Sequence, residues 1–308
     1  MKRIFIDGSA GTTGLRLRQR IEGRKDLQLI ELEEKYRKDI ERRKQAMEQA
    51  DAVVLCLPDD AAREAVGFAA PDKLVLDTST AHRTLPGWTY GLPQLGEQQK
   101  AAVQTAKRIA VPGCHACGFI TLVQPLVQAG ILDKAQPLYC FSLTGYSGGG
   151  KNMIAQYEGE EKSPLLKAPR LYGLSQQHKH LKEMKAITGI DQFPVFAPIV
   201  GDFYSGMEVM VPLAVDQIGA DGIDKIKEVY RSRYNGKVIR FEEDCSEDGF
   251  LSAAAFSGKD CMQISVQGNA ERVLLVARYD NLGKGASGAA VECLNLALGL
   301  EQTAGLEL

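Results

Sequence analysis

The sequence predicts the α/β class: a doubly wound parallel sheet joined to a second α+β domain carrying a mixed sheet. Three observations predict it. In the amino-terminal third, short continuous apolar runs alternate with helical stretches, as they do when parallel strands are buried on both faces. Farther along, strand-like runs follow one another with few helices between them. With 308 residues, the chain is long enough to build a core in each of two domains.

Lys2 to Asp7 is a short apolar strand, followed by the turn Gly8-Ser9-Ala10-Gly11-Thr12-Thr13-Gly14 and a helix through Leu15, Leu17 and Ile21. Leu27 to Leu32 reads as the second strand. The charged segment Glu33 to Gln49 is expected to be helical, with Ile40, Met47 and Ala50 on its buried face. As a mixture of acids and bases it is a solvated surface rather than a nucleic-acid contact. Ala52 to Leu57 and Leu74 to Asp77 are further strands, with a helix between them from Ala61 to Ala70. Arg108 to Val111 is another short strand. Phe119, Leu122, Val123, Leu126 and Val127 then recur at the spacing of one buried helix face, and Gly130 stands where a left-handed cap belongs.

In the second domain the strand-like runs are Leu138 to Thr144, Phe193 to Ile199, Met207 to Val215, Val238 to Phe241, Met262 to Val266 and Val273 to Tyr279. Helices are expected at Lys182 to Thr188 and Gly222 to Tyr234. A final helix, Ala289 to Leu300, presents Val291, Leu294 and Leu298. Gly145 to Gly150 reads as a glycine-rich loop.

Composition narrows the function. Hydrophobic residues are 44% and charged residues 25%, ordinary for a globular protein, and the net charge of −2 favours neither nucleic acid nor an anionic membrane. No apolar run reaches a membrane-spanning length, and no signal peptide is expected at the amino terminus. Seven scattered cysteines fit a reducing compartment, the cytoplasm, rather than a disulfide framework.

The segment Val111-Pro112-Gly113-Cys114-His115-Ala116-Cys117-Gly118 carries the most chemistry. It puts Cys114 at the start of a helix, where the positive end of the helix dipole favours a thiolate nucleophile. Two other chemical readings compete. Cys114 and Cys117 have the C-x-x-C spacing of thiol–disulfide enzymes, and His178 and His180 raise the idea of zinc, although that spacing is not a usual zinc pattern. A buried structural cysteine is the plainest alternative.

Gly8, Gly11 and Gly14, between a first strand and a helix, form a Rossmann-type dinucleotide turn: small residues let backbone N–H groups reach a pyrophosphate. The spacing is G-x-x-G-x-x-G, not the usual G-x-G-x-x-G. Glu31 and Glu33 point to NAD by the ribose rule, whereas Thr12, Thr13, Lys35 and Arg37 suit a 2′-phosphate. Spacing leaves that open. Asp77-Thr78-Ser79-Thr80-Ala81-His82-Arg83 lies beyond the carboxyl end of a strand, where open parallel sheets bind ligands, and Arg83 is a candidate anion clamp.

At Gly8 to Gly14, Cys56 to Glu64, Asp77 to Arg83, Val111 to Gly118, Gly145 to Lys151, His178 to His180 and Asp280 to Ala290 the chain resembles N-acetyl-γ-glutamyl-phosphate reductases of the shorter type, within the wider semialdehyde dehydrogenase group. The resemblance implies a phosphorylating aldehyde dehydrogenase that acts as a reductase of a small acyl phosphate in arginine biosynthesis, with NADPH as reductant. It implies Cys114 as nucleophile and His178 or His180 as acid/base. It implies Gly8, Ser9, Ala10, Gly11, Thr12, Thr13, Gly14, Ser79, Asn281 and Gly283 as cofactor contacts, and Arg83, Ser147, Gly148 and Gly149 as substrate contacts. No metal is expected. The resemblance also implies a discontinuous first domain, residues 1–113 plus 285–308, a catalytic and oligomerisation domain at 114–284, and a homo-oligomer, dimer or tetramer. Cys117 departs from the pattern, where threonine is expected. The alternatives are an enzyme of the aspartate-semialdehyde dehydrogenase kind acting on another acyl phosphate and, more remotely, a thiol-redox protein using Cys114 and Cys117.

Overall fold

The computed structural model describes residues 1–219 and 221–308, which divide into two compact units. The first comprises Met1–Pro93, Glu97–Gly113 and Ala286–Leu306; the second comprises Gln94–Gly96, Cys114–Gly285 and Glu307–Leu308.

The first unit is a parallel sheet of β1 (Lys2–Asp7), β2 (Leu27–Ile30), β3 (Ala52–Leu55), β4 (Leu74–Asp77), β5 (Thr89–Tyr90) and β6 (Arg108–Ala110), in the order β2-β1-β3-β4-β6-β5. Its helices are α1 (Thr12–Ile21), α2 (Ile40–Gln49), α3 (Asp59–Val66), α4 (Glu97–Thr105) and the last helix of the chain, Gly288–Ala297. Successive strand residues point to opposite faces, so each apolar run feeds two cores. Ile4, Ile6, Val54 and Leu76 pack with Leu17 and Ile21 of α1, Val103 of α4, and Val291 and Leu294 of the last helix. Phe5, Val53, Leu55 and Val75 face the other way, onto Ala46 and Met47 of α2 and Ala65 of α3. This is the doubly wound arrangement predicted.

The second unit is a seven-stranded mixed sheet of β7 (Tyr139–Gly145), β8 (Arg170–Leu171), β9 (Val195–Gly201), β10 (Met207–Ala214), β11 (Ile239–Phe241), β12 (Met262–Gly268) and β13 (Arg272–Tyr279). The order is β11-β12-β13-β10-β7-β9-β8. β7 runs parallel to β9 and β11 to β12; the other neighbours are antiparallel. Its helices are α5 (Cys114–Gln128), α6 (Gly150–Glu158), α7 (Leu181–Thr188), α8 (Val215–Ile218) and α9 (Gly222–Arg233). α5 packs on β10, β13, α7 and α9 and is buried along most of its length. Gly130, at φ +70°, follows its end in the left-handed conformation expected.

Several local expectations shift. The charged segment is not one helix: a short 3₁₀ turn at Glu34–Tyr36 precedes α2, which starts only where Asp39 caps the Arg42 amide. Ile40, expected in the core, is 44% exposed: it shares a face with Met47, but as the first residue of the helix it stands at its end, before the buried residues Arg43, Ala46 and Met47. α3 runs Asp59–Val66 rather than 61–70, since Asp59 and Asp60 suit the dipole of a first turn. The glycine-rich loop ends in a 3₁₀ turn at Tyr146–Gly149 and leads straight into α6, which was not foreseen because glycine is a poor helix former. The last helix stops at Ala297, three residues short of expectation, and one turn of π-helix, Gly283–Ser287, precedes it.

Candidate active site

Cys114 is the first residue of α5 and is half-buried. The helix begins there because Pro112 and Gly113 break the chain after β6, and an apolar stripe follows. Three of the chain's four histidines gather beside that first turn. The His115 ring centre lies 5.6 Å from that of His178 and 5.6 Å from that of His180, and those two are 4.7 Å apart. His115 is buried. Its Nδ1 lies 2.7 Å from Ser142 Oγ of β7 and its Nε2 lies 2.6 Å from the Tyr172 hydroxyl. Burial, reinforced by the nearby His178 and Lys179, pushes its pKa down to about 3, so the ring is neutral and offers one donor and one acceptor. Burial, together with repulsion from a Cys114 thiolate, drives the Tyr172 phenol well above its ordinary value and keeps it protonated.

His178 and His180 immediately precede α7, and the His180 amide donates to His178 Nδ1 at 3.2 Å. His178 is partly exposed, whereas His180 is 4% exposed. The second thiol, Cys117, is fully buried one turn along α5, its Sγ 3.7 Å from the Lys284 carbonyl oxygen. All seven cysteines are thiols. Among the described residues, no group of three or more His, Cys, Asp or Glu is arranged to hold a metal ion.

Sequence reasoning missed His115, Ser142, Tyr172 and Tyr279. The Tyr279 hydroxyl, from the end of β13, donates to the Cys114 carbonyl at 2.5 Å and accepts from the Gly118 amide at 3.1 Å. One signal was available: histidine is rare here, and His115 directly follows the candidate nucleophile. The tyrosines and Ser142 lie far from Cys114 in sequence, and only the sheet brings them close.

Other candidates in the second unit fall together. Asn281 is buried; its Nδ2 donates to Ser147 Oγ at 3.0 Å and its Oδ1 accepts from the Gly206 amide at 3.0 Å. Gly148 adjoins it: a Cβ there would stand 3.5 Å from Asn281 Nδ2. Gly149 closes the same 3₁₀ turn and leads into α6. Gly283 lies against the Lys259 carbonyl, where a Cβ would come within 1.9 Å.

In the first unit Gly8 to Gly11 of the glycine turn border a cleft of about 640 Å³, lined also by Glu31, Leu32, Lys35 and Arg37. Gly8 has φ +88°, and a Cβ on it would meet the Cys56 carbonyl oxygen at 2.3 Å. A Cβ on Gly14 would come 2.7 Å from the Gly8 carbonyl oxygen. Gly11, the N-cap of α1, has ordinary φ and its Cβ would find no protein atom nearer than 3.6 Å. The protein needs the first and third glycines for its own packing, whereas the second leaves room on the cleft side at a helix N-terminus. Ser9 and Ala10 line the cleft with it, and Thr12 and Thr13 open the helix. That cradle fits the pyrophosphate of a dinucleotide. Glu31 pairs with Arg18 at 2.7 Å, and Arg43 pairs with Asp7 at 2.8 Å.

Beyond β4, Ser79 is turned inward, its Oγ donating to Asp77 at 2.7 Å. Arg83 is also buried and donates from Nε to the Val111 carbonyl and from Nη2 to the Thr78 carbonyl, both at 2.9 Å. These two bonds fix the end of the strand that leads into the Pro112-Gly113 turn.

Comparison with known proteins shows the family. A family model described as semialdehyde dehydrogenase, dimerisation domain, matches residues 114–281. A protein of Sinorhizobium medicae (strain WSM419) named N-acetyl-gamma-glutamyl-phosphate reductase is 44% identical over 306 residues, 96% of this chain and 98% of the relative. One from Pseudomonas putida (strain KT2440), named N-acetyl-gamma-glutamyl-phosphate reductase 2, is 42% identical and 98% of each chain is covered. Among solved structures, aspartate semialdehyde dehydrogenase from Francisella tularensis aligns with a TM-score of 0.71 at 14% identity, covering 96% of this chain and 99% of that one. The Candida albicans enzyme, solved with NADP, aligns at 0.67 and 14%, covering 99% of each. At such identities these two show a shared fold. The full-length relatives go further: a chain that keeps more than two-fifths of their residues from end to end belongs to the N-acetyl-γ-glutamyl-phosphate reductase family of oxidoreductases.

Proposed function

We propose that this protein reduces N-acetyl-γ-glutamyl phosphate to N-acetylglutamate γ-semialdehyde, releasing inorganic phosphate, through a thioester on Cys114 and at the expense of NADPH. The step belongs to arginine biosynthesis. The observation that carries the reading is the half-buried thiol at the head of a 15-residue helix, beside three histidines, in a chain of this family.

The Cys114 thiolate attacks the acyl carbon, the bond from that carbon to the phosphoryl oxygen breaks, and phosphate departs with the electron pair, taking up from solvent the one proton the reaction consumes. First-turn N–H groups of α5 and the positive end of its dipole suit the oxyanion that forms. When bound, the nicotinamide cofactor supplies a hydride equivalent to the thioester carbon. His178 gives a proton to the resulting oxygen and takes it back as the carbon–sulfur bond breaks, which frees the aldehyde and restores the thiolate. One acyl phosphate, one hydride and one proton thus give one aldehyde and one inorganic phosphate. Ser147, Gly148 and Gly149 are the proposed anion-binding turn, oriented by Asn281. Arg83 is retained as a contact for the substrate's anionic groups on its place beyond the strand ends.

The charge of the cleft rim supports NADP as the cofactor. Arg18, Lys35, Arg37, Lys38 and Arg43 outnumber Asp7, Glu31 and Glu34 there, which favours a 2′-phosphate and hence NADP. On the second unit, Tyr139, Phe141, Val195 and Leu171 of β7, β9 and β8 are each more than two-fifths exposed. We take this apolar sheet face to be covered by a second copy, in keeping with the family description. Seven thiols support the cytoplasm as compartment, and among the described residues no helix is long and apolar enough to cross a membrane.

The test is the reverse reaction. NADP reduction is followed with N-acetylglutamate γ-semialdehyde and phosphate, with aspartate semialdehyde in parallel. Phosphate-dependent turnover of the acetylated substrate is expected, with a loss of about a thousandfold or more in Cys114→Ser. Turnover of aspartate semialdehyde instead would overturn the substrate, and an active Cys114→Ser would overturn the nucleophile.

A further inference from the structure

Three tyrosine hydroxyls bond to backbone carbonyls of α5. One of them answers a vacancy. Pro125 lies inside the helix and has no N–H to give the Thr121 carbonyl; the Tyr234 hydroxyl of α9's C-cap residue supplies that bond at 2.6 Å. Tyr230 donates to the adjacent Leu122 carbonyl at 2.5 Å. The third, Tyr279, answers no such vacancy, because Gly118 has an N–H of its own for Cys114. Its hydroxyl nevertheless bridges these two groups across the first turn, the turn that carries the thiol.

The surroundings are shaped for that bridge. A Cβ on Gly118 would stand 2.6 Å from the Tyr279 hydroxyl and 2.8 Å from Val209 Cγ2, so only glycine admits the phenol. Tyr279 is fully buried at the end of β13, between Met207 of β10 and Met262 of β12 in the sheet register, and cannot drift. On its other side Cys114 meets Gly285, where a Cβ would come within 3.0 Å of the cysteine Cβ. A hydroxyl set into a helical ladder governs the local turn, and its positive hydrogen offsets the negative end of the Cys114 carbonyl close to the sulfur.

We propose that Tyr279 is a positioning residue for the nucleophile: bonded to the Cys114 carbonyl and the Gly118 amide, its hydroxyl sets the backbone that aims the thiol and favours the thiolate. The inference rests on the assignment of Cys114 as nucleophile.

The experiment compares Tyr279→Phe with Tyr234→Phe, which removes a similar buried bond farther along the same helix. Three readouts are taken: melting temperature, kcat with KM, and the pH dependence of iodoacetamide labelling at Cys114, resolved by peptide mass spectrometry. Tyr279→Phe is expected to lower kcat about tenfold with KM within about twofold. It should also move the labelling midpoint up by about half a pH unit. Tyr234→Phe should lower the melting temperature and leave the midpoint in place. An unchanged midpoint and kcat in folded Tyr279→Phe, or equal shifts in both variants, would overturn the proposal. If Tyr279→Phe does not fold, 3-fluorotyrosine installed at position 279 keeps the ring and strengthens the O–H as donor. It should then move the midpoint down, and no movement would overturn the proposal. Failure of Cys114 to label in the parent enzyme overturns the nucleophile assignment itself, a result distinct from the others.

Discussion

The backbone amide of His180 donates to Nδ1 of His178 at 3.2 Å. That bond makes Nδ1 an acceptor and places the ring proton of neutral His178 on Nε2. The sequence left the pair undecided, but their surroundings differ: His178 is partly open, while His180 is buried at the start of α7. His178→Asn should therefore lower kcat about a hundredfold and remove one limb of the pH–rate profile. His180→Asn should chiefly lower the melting temperature and keep both limbs. Profiles of the two variants measured side by side decide it; loss of the limb in His180→Asn alone would reverse the assignment.

The glycines of the amino-terminal turn separate folding from binding. Gly8→Ala forces a side chain into a positive-φ residue and into the Cys56 carbonyl, so it should cost about 1–3 kcal/mol of stability. Gly11→Ala meets no protein atom within 3.5 Å. Its melting temperature should match the parent, while NADPH binding measured by fluorescence weakens about tenfold. Full binding by folded Gly11→Ala would move the cofactor away from this turn.

His115 gives the fold an acid limit. The unfolded chain takes up a proton near pH 6.5, whereas the folded protein holds the ring neutral down to about 3. The stabilisation is complete above 6.5 and is lost as pH falls toward 3, because the unfolded state binds the extra proton. From 6.5 to about pH 5 the loss from this group is about 2 kcal/mol. Urea unfolding of the parent and of His115→Asn at about pH 7.5 and pH 5 tests it: the variant should show the shallower fall, and equal falls would reject the account.

Cys117→Thr should leave turnover within about twofold. The side chain is buried, its sulfur makes a long contact with the Lys284 carbonyl, and a threonine hydroxyl has a carbonyl to bond there. Steady-state kinetics under reducing conditions check it, and a large loss would restore the two-thiol chemistry.

The sequence made legible whatever is local. β1 and β4 have the bounds their apolar runs predict, and α5 begins at Cys114 because proline, glycine and an apolar stripe coincide there. α4 was missed because Glu97, Gln98, Gln99, Lys100 and Gln104 leave little apolar periodicity, with Val103 its one buried residue. The site was legible only in part, for a different reason. The spacing of His178 and His180 flagged a pair, but their relation to His115, Tyr172 and Ser142 depends on the β7–β9 register and on the loop before α7. Tyr279 read as a strand's last apolar residue; what matters is its hydroxyl, and hydropathy does not see that atom.

The helix Gly288–Ala297 closes a core opened by the first six residues of the chain. On the ribosome, Ile4, Leu17 and Leu76 emerge long before Val291 and Leu294 exist to cover them. The first unit therefore waits, with one flank bare, until that helix has been made. A chain broken off shortly after Tyr279 would contain every strand of both sheets and still display that uncovered flank to chaperones and proteases. Coverage of that apolar flank thus depends on a segment made more than two hundred residues after β1 and β4, which it covers.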